Sequence, residues 1–162
     1  PDYPKPGILF QDITPMLSNG QALDAVISHL ASLDKESEIA IGIEARGFIL
    51  ASALAVKKEI GFVPIRKKGK LPADTFSRSS GLEYGIDEIE LHRDAFAPGT
   101  KVTLIDDVLA TGGTLEAAIS LIADAGGIIT SIIVLLEISE LKGRQRIEQA
   151  APTVPLHSLV KV

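Results

Sequence analysis

VTLIDDVLATGGT, residues 102–114, joins an apolar run to two adjacent carboxylates and then to a Thr-Gly-Gly-Thr turn that opens an apolar-periodic segment. The spacing predicts a strand over Val102–Ile105 ending in the two acids, and a helix over Leu115–Ala125 stopped by Gly126-Gly127. A phosphate needs several N–H donors converging on it. A glycine-rich turn lets the backbone approach, and a helix N-terminus adds exposed amides and a favourable dipole. Thr111, Gly112, Gly113 and Thr114 fit that task. Asp106 and Asp107 are acceptors at a strand's carboxyl end, where open α/β sheets place ligands and where sugar hydroxyls find acceptors. The stretch therefore predicts a site for a phosphorylated sugar.

Outward from it the same rhythm repeats. Ala22–Leu33 and Gly47–Val56 read as helices, Ile39–Ile43 and Gly61–Ile65 as strands, Ile128–Leu136 as a buried strand, Leu141–Ile147 as a short helix and Leu156–Val160 as a last strand. Strands alternating with helices predict a mostly parallel sheet covered on both faces. No internal repeat, linker or low-complexity tract interrupts the chain, so one domain spanning 1–162 is expected. Leu71–Arg93 departs from the rhythm: it is polar, and it alternates apolar and charged residues from Ile86 to Leu91, as an exposed hairpin or mobile loop does.

Composition narrows the function classes. A 46% hydrophobic fraction with scattered charge suits a folded globule. A net charge of -5 disfavours a general nucleic-acid or membrane-surface binder, which needs excess Lys and Arg. The absence of cysteine excludes a disulfide framework, a thiolate nucleophile and a Cys-ligated metal, and permits a cytoplasmic address. The longest apolar stretch, Ile128–Leu136, contains Thr130 and Ser131 and is too short to span a bilayer. The chain opens at Pro1 with no visible secretory signal, as an N-terminally trimmed form would.

Three further constellations carry charge. Arg66, Lys67, Lys68 and Lys70 surround Gly69 at a strand's carboxyl end; such a run is ordinarily a solvated face, but at that end of an open sheet it can meet an anionic ligand. Glu44-Ala45-Arg46-Gly47 is a second strand-to-helix turn, readable simply as a helix start. Glu83-Tyr84 reads as a strand-edge acid beside a packing aromatic. His29, His92 and His157 are scattered, and a surface or satisfied core role is expected for each.

Taken in order, PGILFQDITP (6–15), EARGF (44–48), RKKGKLP (66–72), LEYG (82–85) and LATGGT (109–114) spread over most of the chain. Together they resemble the adenine-using branch of the type I phosphoribosyltransferases, whose donor is phosphoribosyl diphosphate (PRPP). The resemblance implies an α/β fold: an open, mostly parallel twisted sheet with helices on both faces, a mobile hairpin loop and a small N-terminal hood. It implies transfer of the 5-phosphoribosyl group from PRPP to adenine, giving AMP and diphosphate. Mg2+ would arrive with PRPP rather than at a dedicated protein site, and the enzyme would be a cytoplasmic homodimer with no nucleic-acid or membrane partner.

The roles implied by resemblance fall on particular residues. Ala110, Thr111, Gly112, Gly113 and Thr114 cradle the 5-phosphate, and Asp106 and Asp107 hold the ribose. Arg46, Arg66, Lys67 and Lys70 meet the diphosphate, some across a dimer interface. Leu9 and Phe10 contact adenine through backbone groups and an aromatic face; Glu83 exchanges a proton near N7, and Tyr84 covers the closed site. The long loop closes over PRPP and excludes water. Where the family often has Asp-Ser before the arginine, this chain has Glu44-Ala45, which removes a hydroxyl but leaves the backbone. The hypoxanthine and guanine enzymes place a lysine on the strand after the phosphate-loop helix; Ile132–Glu137 has none, which favours adenine. Such enzymes also carry a helix before PDYPKPG, consistent with trimming. Two alternatives stay open on sequence alone: another purine as acceptor, or a PRPP-sensing regulator that binds without turnover.

Overall fold

The computed structural model describes residues 12–80 and 88–162. Two helices lead in, the single-turn α1 (Thr14–Leu17) and the longer α2 (Gly20–Leu33). Asn19 starts α2 by accepting the Gln21 and Ala22 N–H groups at 3.1 and 3.0 Å. Then follow β1 (Ile39–Ile43), α3 (Arg46–Lys58), β2 (Gly61–Lys67), β3 (Thr75–Ser79), β4 (Glu88–His92), β5 (Lys101–Leu109), α4 (Gly113–Asp124), β6 (Ile128–Glu137), α5 (Gly143–Ala150) and β7 (Leu156–Lys161). The strands form one sheet in the order β3-β4-β2-β1-β5-β6-β7. Pairing is parallel from β2 through β7 and antiparallel where β4 meets β2 and β3.

Alternation along the strands divides the core into two layers. Ala40 packs on one face with Ile27, Leu30, Leu50 and Leu54 of α2 and α3. Ile41 and Ile43 pack on the other with Leu115, Ala118, Leu121 and Ile122 of α4 and Ile147 of α5. From β1 the chain crosses through α3 to β2 on one side, whereas β5 on the other side leads through α4 to β6. The carboxyl ends of β1 and β5 thus flank the point where the winding reverses, which is where such sheets open a ligand crevice.

Three expectations are corrected. β5 does not end at the acids but runs through them to Leu109, because β6 is long enough to pair as far as Leu109 with Glu137, whereas pairing with β1 stops at Gly42 with Ile105. The 71–93 region is not simply exposed: β3 and β4 are sheet strands, and β4 buries Ile89 and Leu91 against the α4 layer. Glu90 between them is buried as well, so the alternating pattern does not mark an exposed face. Leu141 belongs to a short 3-10 turn, Ser139–Leu141, and α5 starts only at Gly143, because Lys142 takes a left-handed conformation (φ 55) that separates the two.

Candidate active site

The phosphate-loop turn is built as its sequence requires. Gly112 caps α4 with φ 84, a region open to glycine and strained for other residues, and its carbonyl accepts the Glu116 N–H at 2.9 Å to start the helix. The first amides of α4 have no intrahelical acceptor, as at any helix start. Asp106 and the 108–115 stretch enclose a hollow of about 60 Å3 above them. A larger groove of about 540 Å3 lies between α2 and α3, away from these groups, and its charged residues Asp24 and Lys57 already pair at 2.8 Å. The smaller hollow, at a helix start whose first amides lack intrahelical acceptors, is the one suited to an anion.

At the floor of the crevice stand the two acids. Both are buried, and the Asp107 N–H donates to Asp106 Oδ1 at 2.9 Å. Burial, and then the neighbouring Asp107 charge, push the Asp106 carboxyl well above its ordinary value. Asp107 Oδ2 lies 2.7 Å from Arg46 Nε. That contact is one of charge without hydrogen-bond alignment, since the same oxygen is buried with no hydrogen-bond donor aligned on it among the described residues. Arg46 is delivered by the first turn of α3. The helix sits close because a Cβ on Gly47 would be only 2.9 Å from the Ile105 carbonyl and 3.2 Å from Asp106 Oδ1. The Glu44–Ala45 peptide just before it is cis.

Glu44 organises the basic run at the end of β2. Its Oε2 accepts the Lys67 N–H at 3.0 Å and Arg66 Nε at 3.3 Å, while Arg66 Nη1 donates to the Lys70 carbonyl at 3.0 Å. Burial alone would raise the Glu44 carboxyl, but the Lys67 N–H, Arg66 and Lys70 outweigh it and hold it below its ordinary value. Lys68 turns away to Glu88 on β4 at 2.5 Å, and Gly69 N–H donates to Glu90 at 3.0 Å. Of the four cations in the run, the Arg66 and Lys70 charges therefore bear on Glu44, Lys67 meets it through its backbone N–H, and Lys68 is drawn off to Glu88.

The structure thus brings together Arg46, Asp106, Asp107 and the 110–114 turn around one crevice, with Arg66 and Lys67 one strand away at the end of β2 and Lys70 just beyond it. Leu9, Phe10, Glu83 and Tyr84 lie outside the described residues, as does the tip of the proposed closing loop. His92 departs from expectation: its Nε2 is buried without a hydrogen-bond partner among the described residues. Sequence reasoning missed Gly143, Glu116 and Arg146. Gly143 packs on the phosphate loop, and Arg146 pairs with Glu116 in the first turn of α4 at 2.6 Å. Only the Gly after Lys142 could have hinted at close approach, since these contacts join residues some 30 positions apart.

Comparison with known proteins bears on the same residues. A model of the phosphoribosyl transferase domain matches residues 15–154. An adenine phosphoribosyltransferase of Thermobifida fusca (strain YX) is 52% identical over 149 residues, 91% of this chain and 85% of that protein. The crystal structure of adenine phosphoribosyltransferase from Thermoanaerobacter pseudethanolicus superposes with a TM-score of 0.92 at 43% identity, covering 100% of this chain and 93% of that one. The enzyme from Giardia lamblia complexed with 9-deazaadenine gives 0.91 at 42% identity, covering 100% and 91%. Sequence, sheet order and the site at the winding reversal lead to one family, and the chain belongs to the phosphoribosyltransferases, in their adenine phosphoribosyltransferase branch.

Proposed function

We propose that the chain transfers the 5-phosphoribosyl group from PRPP to adenine, giving AMP and diphosphate, as a purine salvage enzyme. The observation that carries this reading is the arrangement at the reversal point: a cup at the start of α4, two buried acids beside it, and Arg46 set against Asp107. In this reading the amides of Ala110 to Thr114 hold the 5-phosphate. Asp106 and Asp107 accept the ribose hydroxyls and stabilise positive charge as it develops on the ribose. Arg46, Arg66, Lys67 and Lys70 take up negative charge on the departing diphosphate. As adenine N9 bonds to the anomeric carbon, the bond from that carbon to the diphosphate oxygen breaks, and the proton on the base passes to Glu83 near N7. Leu9 and Phe10 hold the base and Tyr84 covers it.

Phosphoribosyltransferases generally use Mg2+ with PRPP. Asp107 Oδ2, buried and without an aligned donor among the described residues, fits a hydrated cation or a ribose hydroxyl, so Asp106 and Asp107 are the residues that would hold an ion arriving on PRPP. Bound there, magnesium supplies charge neutralisation of the leaving group. A single domain working as a cytoplasmic homodimer belongs to the same proposal; no helix among the described residues is long and apolar enough to cross a membrane.

The test is to supply PRPP and magnesium with adenine, hypoxanthine, guanine or xanthine in separate reactions and to follow nucleotide and diphosphate. AMP from adenine alone is the expected result. Product from another purine overturns the base assignment, and PRPP binding without product from any base overturns the enzymatic reading.

A further inference from the structure

We propose that the first turn of α5 positions the phosphate loop, with Gly143 as the point of contact and Arg146 as a charged brace. The contact is one that only hydrogens fit. A Cβ on Gly143 would overlap the Ala110 carbonyl oxygen, and would lie 2.7 Å from Leu109 Cδ1 and 3.0 Å from the Gly112 nitrogen. From the other side, a Cβ on Gly112 would lie 3.0 Å from the Gly143 carbonyl and 3.5 Å from Arg146 Cβ. The two glycines face each other, so the height of the loop is set by where α5 stands.

α5 is itself held firmly. Arg144 reaches Glu137 at the end of β6 (Nη2 to Oε2, 2.6 Å) and the Leu156 carbonyl at the start of β7 (3.1 Å), and Ile147 is buried in the α4 layer. The Ile138 N–H donates to the Leu109 carbonyl at 2.9 Å, tying the segment leading to α5 to the last residue before the loop. Arg146 Nε and Nη2 meet Glu116 Oε2 at 2.7 and 2.6 Å. Glu116 stands in the first turn of α4, where its carboxylate would repel an incoming phosphate; the guanidinium, with Nη1 3.5 Å from where a Cβ on Gly113 would stand, offsets that charge beside the loop. Neither Gly143 nor Arg146 lines the cup, so both act through the loop and are positioning residues.

This inference rests on the assignment of the loop to the 5-phosphate, and the experiment separates the two. Affinity for ribose 5-phosphate, which has only the loop-directed phosphate, is compared with inhibition by diphosphate and with the melting temperature. Wild type is compared with Thr114→Val in the loop and with Gly143→Ala, Arg146→Gln and Arg146→Lys behind it. A displaced loop should weaken ribose 5-phosphate about tenfold in Gly143→Ala, with diphosphate inhibition near wild type. Arg146→Gln should weaken it roughly threefold, with recovery in Arg146→Lys. Ribose 5-phosphate binding that is absent in wild type or unchanged in Thr114→Val overturns the loop assignment. Binding lost in Thr114→Val but unchanged in the α5 variants overturns the positioning role alone. Equal loss for both ligands along with a lowered melting temperature also overturns it, since that is general structural damage. If Gly143→Ala fails to fold, the Arg146 pair decides.

Discussion

Asp106 and Asp107 share a peptide bond but not an environment. Asp107 has the Arg46 cation 2.7 Å away, whereas burial and the Asp107 charge push the Asp106 carboxyl upward. A carboxyl raised above its unfolded value of 3.8 binds its proton more tightly in the folded state, so its contribution to stability is full below 3.8 and fades as pH climbs through the raised value. At neutral pH, above 3.8, the buried Asp106 carboxyl therefore costs stability that Asp106→Asn recovers, since the amide oxygen can still accept the Asp107 N–H. We expect a gain of about 1 kcal/mol from urea unfolding at neutral pH, with loss of turnover. A midpoint at or below wild type would remove the argument from burial. Asp107→Asn should behave differently, lowering kcat roughly tenfold to a hundredfold with the fold intact, because it weakens charge stabilisation in the transition state. Near-wild-type kinetics would count against its role.

Elements differ in how much of them local sequence specifies. β1 and α4 were legible because apolar period, caps and glycines agree within a few residues of each other. The extension of β5 past the acids was not, because it depends on pairing with β6 some 28 positions later, and a carboxylate carries no strand preference of its own. The α5 contact with the loop was invisible for the same reason. The phosphate-loop residues and both acids were readable as a motif, but the separation of Lys68 from its neighbours was not, since it follows from Glu88 lying across on β4. That separation is testable at the end of β2: Arg66→Ala should raise the KM for PRPP about tenfold, with Lys68→Ala close to wild type. Equal effects would mean that the run acts only as diffuse charge. In the turn itself, Gly112→Ala forces a side chain into φ 84 and toward the Gly143 carbonyl, and should destabilise by about 1 kcal/mol or more while weakening ribose 5-phosphate binding. Full retention of both would show that the turn can relax around a methyl group.

At the scale of the whole molecule, the site lies between two apolar layers, and one polar cluster fastens the far edge of the sheet to α5. Glu137 closes β6, is buried, and accepts from Arg144 Nη2 and Ser158 Oγ at 2.6 Å each, with Lys161 at 3.8 Å. These partners join β6, β7 and α5 in one junction. The Arg144 guanidinium, followed by the Ser158 hydroxyl, more than offsets burial and holds the Glu137 carboxyl down at about 2, from 4.5. A depressed carboxyl stabilises the folded state fully above its unfolded pKa and loses that contribution as pH falls toward its folded one, so the window of loss runs from 4.5 down to about 2. The contribution at neutral pH is on the order of 3 kcal/mol. Glu137→Gln should forfeit a similar amount at pH 7, because Arg144 is left partly buried without its carboxylate, and should unfold with a flatter dependence on pH below 4.5. Urea midpoints for wild type and variant should therefore converge as the buffer is taken from pH 7 to pH 3. Curves that stay parallel would place the acid sensitivity of the fold in other carboxylates and leave this junction a packing contact alone.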